Sequence, residues 1–142
     1  MKMHGKRAAL TIAGSDSISG AGVQLDIKVF SAAGVYGLCA ITAITAQNTL
    51  GIQQVFGLPA TVVGAQIDSV CADILPNACK TGVLWDAAIV AMVAEKIKGY
   101  KIKNLVVDPI IYAKDGTQLL QKEALKPLKE KLLPLAKLVT PN

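Results

Sequence analysis

Ala13-Gly14-Ser15-Asp16-Ser17-Ile18-Ser19-Gly20-Ala21-Gly22-Val23-Gln24-Leu25-Asp26 is the stretch on which the fold turns. Before it, residues 8–13 form an apolar run that reads as a buried strand. After it, Val23, Ile27, Phe30 and then Ala33 or Gly34 recur at helical spacing and mark a face that packs on a sheet. A strand, a turn of glycines, hydroxyls and an acid, and a helix start bring backbone N–H groups to one point, where a ligand can meet them. Asp26 falls three residues after Val23 and four before Phe30, on the same inward face. An unpaired carboxylate there is costly. Either it is favoured by the helix dipole or paired with a nearby cation, or it is aimed at a polar ligand above the strand ends. Periodicity leaves both open.

The glycines do not make a nucleotide signature. Gly20-Ala21-Gly22 runs into Val23-Gln24-Leu25, with Leu25 where a dinucleotide fingerprint needs a small residue, and no Gly-Lys-Ser/Thr follows as a Walker loop requires. The turn suits a small polar molecule better than a pyrophosphate.

Downstream, residues 35–46 are a long uncharged, β-branched run, predicted as a strand covered on both faces and hence part of a parallel sheet. It surfaces in Gln47-Asn48-Thr49, which reads equally as a turn and as polar groups at the carboxyl end of a strand, where open α/β sheets bind ligands. Residues 51–58 are a further short strand, at an edge. Pro59 opens a helix reaching Ile74, with Val62, Val63, Gln66, Ile67, Val70, Cys71 and Ile74 at its period. Residues 77–83 are the next strand and turn. Asp86 caps a helix over 87–99, with Ile89, Val90, Val93 and Ile97 inward. Residues 104–109 are a short buried strand ending in an acid, and 110–116 a loop. Residues 123–135 read as one helix, interrupted or restarted at Pro127 and Pro134, and 137–140 as a last strand whose apolar edge has no cover. Strands alternate with helices without repeat or linker, so the class is α/β: one domain with a mainly parallel sheet flanked by helices.

Composition narrows the partners. Hydrophobic residues make up 52% of the chain. No apolar run approaches the roughly eighteen residues of a membrane span, so the excess implies doubly buried strands or a surface covered by another molecule. The basic start Met1 to Arg7 superficially resembles a secretory signal, but its apolar run is too short and soon meets Asp16, which predicts a cytoplasmic protein. His4 reads as an exposed residue of a loose terminus. Cys39, Cys71 and Cys79 are odd in number and match no metal spacing, and read as reduced core or near-core thiols. The net charge of +5 rests on lysines spread among glutamates, with Arg7 the only arginine, the pattern of solvated helix faces rather than a nucleic-acid surface.

Gly14-Ser15-Asp16 with Gly20-Ala21-Gly22 and Asp26, then Ala40-Ile41-Thr42-Ala43-Ile44-Thr45-Ala46-Gln47-Asn48-Thr49, Lys80-Thr81-Gly82, Asp108-Pro109 and Thr140-Pro141-Asn142 together resemble one family. It is the hydroxymethylpyrimidine/phosphomethylpyrimidine kinases of thiamine biosynthesis, within the ribokinase-like superfamily. The resemblance covers nearly all of this chain but only the N-terminal half of those kinases. It implies that residues 1–142 form the N-terminal part of a single ribokinase-like domain, incomplete on its C-terminal side. The nucleotide loops, the anion hole and the catalytic residue are then expected beyond Asn142, and the 142-residue chain alone is expected not to turn over ATP.

The same resemblance implies ATP-dependent phosphorylation of an aminopyrimidine and of its monophosphate, with ATP and magnesium as cofactors, and a homo-oligomer, commonly a dimer. Asp26 and Gln47 would hydrogen-bond the aminopyrimidine, whose ring nitrogen and exocyclic amine match a side-chain amide. The backbone at Gly14 would approach the ring, and Val83 and Ile110 would line its faces. Asp108 would help with magnesium and the phosphates, and Asn142 would lie in the phosphate vicinity. The chain departs from the family at Ile18-Ser19, where a small residue and a glycine are usual, and at Thr81 and Val83, which replace isoleucine and methionine. Two other readings stand beside this one: a pyridoxal-type vitamin kinase, and a non-catalytic pyrimidine-binding or assembly module that docks through the last strand.

Overall fold

The structure, a computed structural model, describes residues 7–141. The elements follow as β1 (Ala8–Asp16), α1 (Gly22–Ala32), β2 (Tyr36–Asn48), β3 (Gly51–Gly57), α2 (Ala60–Asp73), β4 (Ala78–Thr81), α3 (Ala87–Gly99), β5 (Leu105–Val107), a helical segment over 122–135, and β6 (Leu138–Val139). They form one sheet in the order β3-β2-β1-β4-β5-β6. Every pairing is parallel except β2 with β3.

β1 is the axis of the sheet. Its residues from Ala8 to Ala13 are buried throughout, as expected for a strand with neighbours on both sides and helices on both faces. The strand does not stop at Ala13. Ser15 and Asp16 still pair with Ile44 and Thr45 after a register shift at Gly14, so the turn begins at Ser17. On one face Leu10, Ile12, Ala40, Cys79, Leu105 and Val107 pack against Val63 and Ile67 of α2 and Ile89, Val93 and Ile97 of α3. The other face carries α1. There Val23 is buried and Ile27 and Phe30 half-buried, but Ala33 and Gly34 are exposed, because α1 ends at Ala32 and Gly34 turns away at φ +71. Gly37 lets α1 lie close: a Cβ there would sit 2.5 Å from Ile27 Cδ1.

β2 is not covered on both faces as its apolar run suggested. Its first part pairs with β1, while its far part projects with the edge strand β3 and leaves the opposed pair Ile44 and Phe56 open, at 49% and 61% exposure. Cys39 is also exposed, so only Cys71 and Cys79 are core thiols. Cys39 lies two residues beyond Gly37 on the same face of β2 and is exposed there.

α2 keeps its stripe except at Val62, which is exposed. Gln66 sits in that stripe because its amide clasps the backbone of Ile41, accepting from the N–H and donating to the carbonyl, both at 2.9 Å. Asp86 caps α3 as read, its carboxylate accepting from Ile89 N at 2.8 Å. Residues 122–135 are a succession of turns: 3-10 over Lys122–Ala124, α over Leu125–Pro127, π over Leu128–Leu132 and 3-10 over Leu133–Leu135. Two prolines, each without an N–H, prevent a continuous ladder. β6 is exposed at the sheet edge.

Among the described residues one buried side-chain group is unsatisfied. Thr81, fully buried on β4, has a hydroxyl with no hydrogen-bond partner. An orphaned buried hydroxyl costs on the order of 1–3 kcal/mol, and valine has nearly the same shape. Thr81→Val is therefore expected to stabilise the chain by about 1 kcal/mol, read as a higher urea midpoint with unchanged slope.

Candidate functional site

The parallel order brings the carboxyl ends of β2, β1, β4 and β5 side by side, and Gly14, Gln47, Val83, Asp108 and Ile110 lie at or just beyond those ends, with Asp26 on α1. The loop after β1 is built around Asp16, which is 4% exposed. Its carboxylate accepts from the N–H groups of Ile18 at 3.0 Å, Gly20 at 3.0 Å and Ala21 at 2.9 Å. Three charge-assisted bonds spend the acid on the loop itself. Gln24 ties the helix back to the strand, accepting from Asp16 N at 2.9 Å and donating to Ser15 Oγ at 2.7 Å. Within this loop Ser19 stands at φ +60, which accounts for the glycine usual at that position, since an L side chain there is strained. Ile18 is 44% exposed, pointing away from the core.

Gly14 lies at the bulge and faces Val83: a Cβ built on Gly14 would meet Val83 Cβ at 3.7 Å and Ala43 O at 3.6 Å. Val83 is fixed in turn by Thr42, whose hydroxyl donates to the Val83 carbonyl at 2.6 Å. Gly82 adjoins Ala13, Lys80 and Ile110, with Lys80 Nζ at 3.3 Å and Ile110 Cδ1 at 3.9 Å from its would-be Cβ. Gly14 thus adjoins Val83, and Gly82 adjoins Ile110, over the ends of β1 and β4.

Asp26, on the inward side of α1, resolves into a paired group. Its Oδ2 accepts from Thr11 Oγ1 at 2.5 Å and from Lys80 Nζ at 3.0 Å, and its Oδ1 accepts from the same ammonium at 3.2 Å. The ion pair is half-buried, with 24% and 18% of the two side chains exposed. Asp108 follows β5, held by its N–H donating to the Thr81 carbonyl at 3.2 Å. Burial pushes its carboxyl above the usual carboxylate value; Lys80 opposes that shift and Asp26 adds to it. The three charges therefore share one neighbourhood. Among the described residues no cluster of three His, Cys, Asp or Glu side chains could hold a metal by itself. The Asp108 backbone carbonyl accepts from Ile110 N at 2.9 Å, while its carboxylate accepts no hydrogen bond among the described residues, so the carboxylate fits as a single ligand to a cation otherwise held by phosphates and water.

Gln47 belongs to the neighbouring β1–β2 end. It lies in β2, not in a turn, and its backbone is clamped by Ser17, whose hydroxyl donates to Gln47 O at 2.7 Å and accepts from Gln47 N at 2.9 Å. Its Oε1 receives only a long contact from Thr45 Oγ1 at 3.5 Å, and its amide nitrogen has no protein partner among the described residues. Asn142 lies outside the described residues.

Thr11, Asp16 and Lys80 are the members of this hydrogen-bond network that spacing alone did not single out. Lys80 carried a signal: a lysine in the middle of a four-residue strand flanked by buried Cys79 and Thr81 must find an anion.

The sequence profile of the phosphomethylpyrimidine kinase family matches residues 16–142. The hydroxymethylpyrimidine/phosphomethylpyrimidine kinase of Bacillus subtilis is 50% identical over 134 residues, spanning 94% of this chain and 49% of that protein. A crystal structure of phosphomethylpyrimidine kinase from Clostridium difficile 630 superposes with a TM-score of 0.90 at 48% identity, covering 96% of this chain and 59% of that one. An ADP complex of Bacillus subtilis pyridoxal kinase superposes with a TM-score of 0.83 at 39% identity, covering 96% and 50%. The chain spans about half the length of the curated relatives it matches. Its sheet is the shared core of these kinases, and the chain belongs to the phosphomethylpyrimidine kinase family.

Proposed function

We propose that this chain supplies the pyrimidine site of an ATP-dependent kinase that phosphorylates 4-amino-5-hydroxymethyl-2-methylpyrimidine and then its monophosphate. The observation that carries this reading is Gln47. A half-buried amide, clamped through its backbone by Ser17 and with its N–H donors unspent, offers the donor and acceptor pair that an aminopyrimidine edge requires. In the same reading Asp26 takes the exocyclic amine, Gly14 admits the ring, Val83 and Ile110 hold its faces, and Asp108 holds magnesium. Bound magnesium would neutralise charge on the phosphates, which is most of what phosphoryl transfer asks of a protein beyond positioning. The expected dimer is supported by the open apolar pair Ile44 and Phe56 and by Leu50 at the tip of the β2–β3 hairpin. The reading places the protein in the cytoplasm, a compartment that suits three free cysteines.

A pyridoxal-type substrate is the second reading, favoured by the superposition on the pyridoxal kinase. The two part at Gln47, because a pyridoxal ring lacks the aminopyrimidine edge. In calorimetric titrations of the chain, Gln47→Ala is expected to weaken the aminopyrimidine roughly tenfold or more, the equivalent of one or two hydrogen bonds, and to leave pyridoxal unchanged. The reverse pattern would favour pyridoxal.

A further inference from the structure

We infer that Lys80 is a positioning residue of this site, holding Asp26 so that a single acceptor remains for the ligand. The inference rests on the aminopyrimidine reading above. An ionised carboxylate has about four acceptor positions. Thr11 and Lys80 fill both on Oδ2, and Lys80 fills one on Oδ1. One position on Oδ1 is left. Because two donors grip Oδ2 and the ammonium straddles both oxygens, the carboxylate cannot turn about its last bond to bring a different oxygen forward.

Lys80 also stands beside Gly82, which adjoins Ile110, one of the residues proposed to hold the ring. Its Nζ lies 3.3 Å from the point a Gly82 Cβ would occupy, and Ile110 Cδ1 lies 3.9 Å from the same point. The ammonium is thus wedged between Asp26 and the residues proposed to face the ring, and any side chain at Gly82 would press on it. A carboxylate locked in this way accepts from an exocyclic N–H and repels an oxo group at the same ring position. The ion pair converts Asp26 from a general anion into a reader of one substituent, so selectivity for amine over oxo depends on Lys80 although Lys80 itself need not touch the ligand.

The test compares two probes by calorimetry on the whole chain, 4-amino-5-hydroxymethyl-2-methylpyrimidine and its 4-oxo counterpart. Wild type is expected to prefer the amine by roughly tenfold or more, the worth of one hydrogen bond to a charged acceptor. Lys80→Met is expected to reduce that preference to within about threefold, and Lys80→Arg to restore most of it, since a guanidinium can straddle the same two oxygens. A preference undiminished in a folded Lys80→Met chain overturns the inference while leaving the aminopyrimidine reading intact. Failure of wild type to bind either probe overturns the reading and the inference together. Should Lys80→Met not fold, the wild-type chain decides by nitrogen NMR of its lysines. A Lys80 Nζ resonance that shifts with the amino probe supports the inference, and one unmoved at saturation overturns it.

Discussion

Gly22→Ala is expected to destabilise the chain by about 3–5 kcal/mol, or to prevent folding, and, on the proposed reading, to abolish aminopyrimidine binding with it. Gly22 opens α1 at φ +60, where an alanine costs about 1–2 kcal/mol in backbone strain alone. The larger part is steric. A Cβ on Gly22 would sit 2.4 Å from the carbonyl oxygen of Gly14 and 3.2 Å from the amide of Asp16. Both are backbone atoms, so no rotamer relieves the clash; either the helix start or the bulged end of β1 must move. That end is the part of the strand on which Gly14 faces Val83, so the same displacement moves Gly14 away from Val83. Gly99→Ala is the control. Gly99 ends α3 with open space where its Cβ would go, and the substitution is expected to stay within about 1 kcal/mol of wild type. Urea unfolding of the two variants side by side separates a loss of glycine freedom from a specific close approach.

The contrast between those glycines marks what a sequence can carry. Periodicity located α3 and its Asp86 cap to the residue, because helix face and cap depend on neighbours within four positions. It also placed Asp26 inward while leaving open whether a cation or a ligand meets it. The answer lies 54 residues away on β4, where Lys80 approaches only because β1 and β4 are adjacent in the sheet. Adjacency of that kind has no local signature. The bulge at Gly14 has the same origin: β1 runs on to Asp16 because β2 offers Ile44 and Thr45 as partners, whereas the apolar run read by itself ends at its first glycine.

The apolar run of β2 misled for a related reason. Hydrophobic side chains announce that a strand prefers cover, not that cover is present in the same chain, and Cys39, Ile44 and Phe56 are left open. The family resemblance offered a set of residues for the site but none of the interactions among them. Thr11 is unremarkable in sequence and Asp16 enters only as part of a motif, yet each makes bonds that exist only in the folded chain.

Asp16→Ala is the second substitution expected to have a large effect, a loss of about 2–4 kcal/mol and of ordered structure over residues 17–21. The carboxylate is buried and serves three N–H donors at once. Alanine orphans all three in a turn too tight for water to replace them one for one, and bonds to a charged acceptor are worth more than neutral ones. Asparagine separates charge from geometry. It can keep one oxygen toward Ile18 or toward the Gly20 and Ala21 pair, but its amide must then face an N–H with another N–H. Asp16→Asn is therefore expected to recover less than half of the loss. Amide hydrogen exchange is the more discriminating measurement, because protection at Ile18, Gly20 and Ala21 should vanish together in the alanine variant and only in part in the asparagine one. If all three amides stay protected in Asp16→Ala, the loop is held by its own backbone and by the Gln24 clasp, and Asp16 is not its organiser. If protection is lost while α3 keeps its own, the loop after β1 is a unit that opens independently of the core. On the proposed aminopyrimidine reading, affinity for that probe should then fall in proportion to the fraction of molecules in which the loop is closed.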